Sequence, residues 1–113
     1  MLVEQRTYTF KMGKLPRYLE IYEKEGLPVQ REYLPNCVGY YVTEIGDLNQ
    51  VIHLWAYDSF EHRAECRARM RADPRWAPYL AKIHPLLAKQ RCQLLHTAPF
   101  FDLKALLAGK RPL

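Results

Sequence analysis

The chain reads as an α+β protein of the ferredoxin-like βαββαβ type, a four-stranded antiparallel sheet with helices on one face. Three observations carry this expectation. Two strand-like runs, VGYYVTEI and VIHLWAY, flank a short segment of turn formers and so form a hairpin. A helix-periodic stretch follows the first strand and another follows the hairpin. A last polar-apolar run, QRCQLLHT, supplies a closing strand.

Taken in order, residues 2–10 (LVEQRTYTF) form the first strand, with Leu2, Glu4, Arg6, Tyr8 and Phe10 on one face. Leu15, Tyr18, Leu19 and Tyr22 share one side of the helix that follows, and Pro16 suits its first turn. Gly26-Leu27-Pro28 should break or kink that helix before it resumes over residues 29–34. The hairpin strands occupy residues 38–45 and 51–57, joined through Gly46-Asp47-Leu48-Asn49. Asp58 to Glu61 has the spacing of a capping box and opens a helix running to about Ala72. Asp73-Pro74 interrupts it, and Trp76, Leu80, Ile83 and Leu87 mark a further helical segment kinked by Pro85. Residues 90–97 form the fourth strand, and residues 102–113 are a tail with a short Leu-rich turn of helix.

Composition narrows the field. The 113 residues are 49% apolar and include 8 Tyr, 4 Phe and 2 Trp, which excludes a mainly disordered chain and leaves room for one domain. No apolar run approaches the ~18 residues of a membrane span. Glu4 and Arg6 stand where a signal peptide needs its apolar stretch, so a cytoplasmic protein is expected. Three cysteines, Cys37, Cys66 and Cys92, form no C-x-x-C pair and are expected as free thiols. The four histidines are scattered, so no metal site is expected.

Net charge is +5, and Arg63, Arg67, Arg69, Arg71 and Arg75 crowd one helical stretch. Such a stretch is either a solvated helix face or a patch facing an anion. The densest polar constellation surrounds it. His53, Trp55 and Tyr57 alternate on one face of a strand, and Arg63 and Arg67 share a face of the next helix. Folded together, guanidinium groups and an imidazole could converge on one cavity for a carboxylate or enolate, with His53 as the candidate proton carrier. The candidate ligand-binding residues are Arg6, Tyr8, Asn49, His53, Trp55, Arg63, Arg67 and Trp76.

A plainer account stands beside this one. A histidine in an aromatic strand is commonly a packing residue, and two arginines can hold a carboxylate such as Glu44 or Glu4. Asn49 suits the left-handed turn on backbone grounds alone. Of the two arginines, Arg63 is nearer the strand end and is expected as the structural anchor, and Arg67 as the ligand contact.

Other chemistries lack their residues. The nucleophile elbow, phosphate loop, dinucleotide fingerprint and H-E-x-x-H motif are all absent. The RNA-recognition fold shares this topology, but its basic-glycine-aromatic signature is missing, so no nucleic-acid partner is expected. No motif implies a cofactor. Both faces of the hairpin strands carry apolar residues, Val51, Trp55 and Tyr57 on one side and Ile52 and Leu54 on the other. A sheet face so exposed calls for cover, and sheet-to-sheet pairing of two copies provides it.

The segments EQRTYTFKMGKLPRYLEIY and TEIGDLNQVIHLWAYDSFEHRAECRARMRADPRW closely resemble the NIPSNAP family. The resemblance covers residues 3–98, with Asn49-x-x-x-His53-x-Trp55-x-Tyr57, Arg63 and Arg67 as its specific part. It implies one domain over residues 1–98, a tail over 99–113, and a dimeric α/β-barrel in which two ferredoxin-like subunits pair through their sheets. The wider superfamily includes cofactor-free monooxygenases, isomerases and haem-handling proteins, so the resemblance speaks to fold more than to reaction. Animal members are linked to mitochondria and vesicle traffic, whereas this short chain without a presequence suits a bacterial single-domain relative. Three functions follow: binding or transformation of a small hydrophobic or anionic molecule between sheet and helices, a non-catalytic dimerisation or interaction module, or a haem-linked protein.

Overall fold

A computed structural model describes all residues from Met1 to Leu113. The elements run β1 (Leu2–Phe10), α1 (Leu15–Ile21), a π-helical turn (Tyr22–Gly26), α2 (Leu27–Tyr33), β2 (Asn36–Val42) and β3 (Gln50–Tyr57). They continue with α3 (Phe60–Ala72), α4 (Trp76–Ile83), a 3₁₀ turn (His84–Leu86), β4 (Leu87–His96) and α5 (Leu103–Leu107). The sheet is antiparallel throughout in the order β2-β3-β1-β4, the expected ferredoxin-like arrangement.

Strand alternation decides what lies under the helices. Glu4, Tyr8 and Phe10 of β1 are buried on the same side as Val51, His53, Trp55 and Tyr57 of β3. The core grows from these residues with Tyr18, Ile21 and Tyr22, Cys66 and Met70 of α3, and Trp76, Tyr79 and Ile83 of α4. On the opposite face Val3, Ile52 and Leu54 are only half-buried, and Tyr41 is 58% exposed. The two-sided apolar character of the hairpin is therefore real, and its outer side is left to solvent by the helices.

Three boundaries differ from expectation. The break at Gly26-Leu27-Pro28 is absorbed by π-helical backbone, the Leu27 N–H reaching the Tyr22 carbonyl. Proline has no N–H to continue the ladder, and the widened turn keeps the helix direction. A Cβ on Gly26 would stand 2.5 Å from the Tyr79 ring, so glycine also lets α4 cross there. Second, β2 begins at Asn36 and ends at Val42, with a register shift between Cys37 and Gly39. Residues 43–49 form the connection, Asn49 closing it at φ 62° while its carbonyl accepts from the Phe10 N–H at 2.8 Å. Third, β4 starts at Leu87, which belongs to the strand and not to the preceding helix, because Pro85 turns the chain through the 3₁₀ segment first. The cap of α3 also moves by one residue: Ser59, not Asp58, accepts from the His62 N–H, at 3.0 Å. The expected helical turn in the tail is α5, capped by Asp102.

Candidate functional site

β1 is central, so its inward side chains meet both neighbouring strands and the helix above. Glu4 pairs across β3 with Trp55, and Arg6 pairs with His53 on one side and Cys92 on the other. The Glu4 carboxylate is fully buried. Arg63 of α3 donates to its Oε2 through Nε at 2.7 Å and through Nη2. Arg6 Nη1 reaches the same oxygen at 3.4 Å and the Cys92 thiol donates to it at 3.2 Å. The second oxygen, Oε1, has only Arg67 Nη1 at 3.6 Å, beyond hydrogen-bonding distance. Burial alone would raise the Glu4 pKa, but the Arg63 bond and the charges of Arg67 and Arg6 hold it below the usual value.

Three guanidinium groups thus surround one carboxylate, an excess of two positive charges. The side chains of Arg6, Arg63 and Arg67 are 15%, 18% and 10% exposed. Arg67 is the least satisfied. Its Nε is buried without an acceptor in the protein, and burial together with repulsion from Arg6 lowers its pKa despite Glu4. Arg6 fares better because its Nε donates to the Tyr8 hydroxyl at 2.8 Å.

Beside this cluster lies a cavity of ≈ 190 Å³, walled by Arg6 and Tyr8 of β1, Tyr18 of α1, Arg67 of α3, and Trp76 and Tyr79 of α4. Tyr18 is fixed by a 2.5 Å hydroxyl contact with Tyr40, and Gln30, also in the wall, accepts from Tyr22 at 2.6 Å. The cavity is aromatic in its walls and cationic at one end.

His53 sits behind this wall, fully buried, with Tyr8 edge-on at 4.9 Å and Tyr40 stacked at 4.6 Å. Its Nδ1 accepts from the Trp55 indole N–H at 2.6 Å, which assigns the ring proton to Nε2, an atom with no partner in the protein. Burial, followed by the charges of Arg6 and Arg67, lowers its pKa to about 3, so the imidazole is neutral at pH 7.

The sequence-derived candidates therefore separate. Arg6, Tyr8, Arg67 and Trp76 meet at the cavity. Arg63 is committed to Glu4, and His53 and Trp55 support the wall from behind. Asn49 shapes the β2–β3 connection and lines no part of the cavity. Glu44, one of two carboxylates considered for the arginines, is exposed in that connection, and Glu4 is the actual partner. Tyr18, Gln30 and Tyr79 were not among the candidates. Glu4 was readable as more than a generic partner: it is a carboxylate on the strand face that also carries Leu2, Tyr8 and Phe10.

Comparison with known proteins places this chain in a family. The NIPSNAP family model matches residues 3–101. A NIPSNAP family protein of unknown function from Agrobacterium tumefaciens is 43% identical with a TM-score of 0.86, covering 91% of this chain and 93% of that one. An uncharacterized NIPSNAP domain protein from Burkholderia xenovorans is 42% identical with a TM-score of 0.84, covering 88% and 97%. Human Protein NipSnap homolog 3A is 33% identical over 103 residues, 89% of this chain but 41% of that protein, so the chain spans about two-fifths of this relative. An antibiotic biosynthesis monooxygenase shares the fold alone, at 15% identity and a TM-score of 0.62, over 88% of this chain and all of that one. With its sequence matched from β1 to the start of the tail, the chain belongs to the NIPSNAP family.

Proposed function

We propose that the chain binds a small anion-bearing molecule in the cavity between β1 and helices α3 and α4, with Arg67 as the principal contact. The observation that carries this reading is the buried excess of guanidinium over carboxylate around Glu4. Uncompensated buried charge is costly, and an incoming carboxylate or phosphate would be drawn to the Arg67 and Arg6 side chains that line the cavity. Tyr8, Tyr18, Trp76 and Tyr79 favour a ligand whose remaining part is flat and apolar. A neutral His53 behind the wall supports binding more than proton transfer.

Trp76 lines the cavity and reports on it. Titration of a Trp55→Phe variant with benzoate and with inorganic phosphate should give a saturable change in Trp76 emission that weakens with added salt. Arg67→Lys should weaken binding by roughly 1–3 kcal/mol, since an ammonium cannot supply the planar fork. Absence of saturable binding, or equal binding by Arg67→Ala, would overturn the assignment.

The partly exposed outer face of β1, β2 and β3 supports a second reading for the whole molecule, a homodimer paired through its sheets. Residues 1–98 would form the paired domain, with residues 99–113 as an extension. The interface should exceed about 2,000 Å² in total. Sedimentation equilibrium at micromolar concentration checks this, and a stable species of monomer mass rejects it.

A further inference from the structure

A second hollow, of ≈ 410 Å³, lies between the π-helical turn, α2, β2 and β3. Tyr22, Leu27, Leu34, Tyr40 and Trp55 form its apolar wall, and Arg31 stands at its rim. It shares no lining residue with the cavity beside Arg67.

The aromatic walls are set in advance, and their polar atoms are engaged elsewhere. The Tyr22 hydroxyl donates to Gln30 at 2.6 Å and the Tyr40 hydroxyl meets Tyr18 at 2.5 Å. The Trp55 indole N–H donates to His53 at 2.6 Å. The rings of Tyr22 and Tyr40 stack on each other at 4.8 Å, and Tyr40 stacks on His53 at 4.6 Å. What these side chains leave for the hollow is ring face and hydrocarbon. Its volume falls within the ~300–1,000 Å³ of ligand sites, which pair apolar walls with few polar anchors. The one charged anchor is Arg31, an exposed guanidinium absent from all eight ion pairs of the chain.

We infer that this hollow is a second binding site, taking an amphipathic monocarboxylate whose hydrocarbon tail lies against Trp55, Tyr40 and Leu34 and whose carboxylate meets Arg31. One carboxylate fits the bidentate geometry of one free guanidinium. A tail fits walls whose polar atoms are engaged elsewhere, the Cys37 thiol included, which donates to the Gly39 carbonyl at 3.5 Å. The site shares no lining residue with the anion cavity, and its argument does not use that cavity.

The chain's two tryptophans divide between the sites, Trp76 in the anion cavity and Trp55 in this hollow. A Trp76→Phe protein therefore leaves Trp55, which lines only the hollow, as the sole indole emitter, and the Arg31 variant tells binding there from binding beside Arg67. Decanoate, kept below its micelle concentration, should produce a saturable change in Trp55 emission, and decanol should bind more weakly. Arg31→Gln should weaken decanoate roughly tenfold and leave decanol unchanged. Leu27→Trp in a Trp55→Phe, Trp76→Phe background should fill the hollow and abolish decanoate binding measured by calorimetry. The inference fails if decanoate gives no saturable response, or if Arg31→Gln binds it as well as the parent. It also fails if Trp55 emission depends on protein concentration alone, since a second copy then covers the hollow.

Discussion

Two charged clusters tie helices to the rest of the molecule, and they differ in both stoichiometry and surroundings. At the surface, the Arg75 guanidinium is shared by Glu32 and Asp73 at 2.6 and 2.8 Å, and Asp73 also accepts from Tyr33 at 2.9 Å. Arg75 and Glu32 are half-exposed, and water completes what the pair does not. Under the sheet, the proportions reverse: one buried carboxylate faces three cations with little solvent. The surface cluster ties α2 to the α3–α4 turn and asks for nothing more. The buried one keeps an excess of positive charge, and that difference from the exposed cluster is what the binding proposal rests on.

Removing the central carboxylate should break the comparison most severely. Glu4→Ala leaves three guanidiniums facing one another and should cost about 3–5 kcal/mol of stability in urea unfolding. Inorganic phosphate should recover part of that loss, because it restores the missing charge and binds only the folded state.

The two helix arginines should then behave oppositely. Arg63→Ala removes the strongest bonds to Glu4 and should destabilise by about 2–3 kcal/mol. Arg67→Ala relieves part of the excess charge and should stay within about 1 kcal/mol of the parent, while losing anion binding. Equal losses for both would make Arg67 a second anchor for Glu4.

Acid should separate the clusters further. The folded pKa of His53, about 3, lies below its ordinary 6.5, so the unfolded chain takes up this proton first. Stability present above about pH 6.5 should fall by ~1.4 kcal/mol per pH unit as pH drops towards 3. Glu4, whose folded pKa is lowered, adds to the loss only below its ordinary 4.5. The difference between parent and His53→Gln in urea unfolding at pH 5 and 7 isolates the histidine.

The smallest effect should come from the surface. Arg75→Gln loosens the α3–α4 turn, and its change in melting temperature should be the least of the set and should shrink further in salt.

Strand alternation and helical period were enough to read the βαββαβ order, because both periods are local properties of backbone geometry. They also put Glu4, Arg6 and Tyr8 on one strand face, and Arg63 and Arg67 on one helix face. Element ends were less legible. Pro28 and Pro85 announce interruptions, but whether the chain answers with a π turn or a 3₁₀ turn depends on what packs against it, Tyr79 over Gly26 in the first case.

The amino-acid sequence by itself determined the fold class and which side chains share a face of β1, while the burial of that face and of Glu4 came from the packing of the helices over it. Tertiary structure decided which carboxylate the arginines meet, Glu4 and not the exposed Glu44. Position along α3 already favoured Arg63, nearer the strand end, as the anchor, and the structure supplies the geometry: Arg63 Nε stands 2.7 Å from Glu4 Oε2 and Arg67 Nη1 3.6 Å from Oε1. It also decided that Trp55 faces one hollow and Trp76 another. Such choices turn on shifts of an ångström between elements far apart in the chain, and residue spacing along one element carries no information about them.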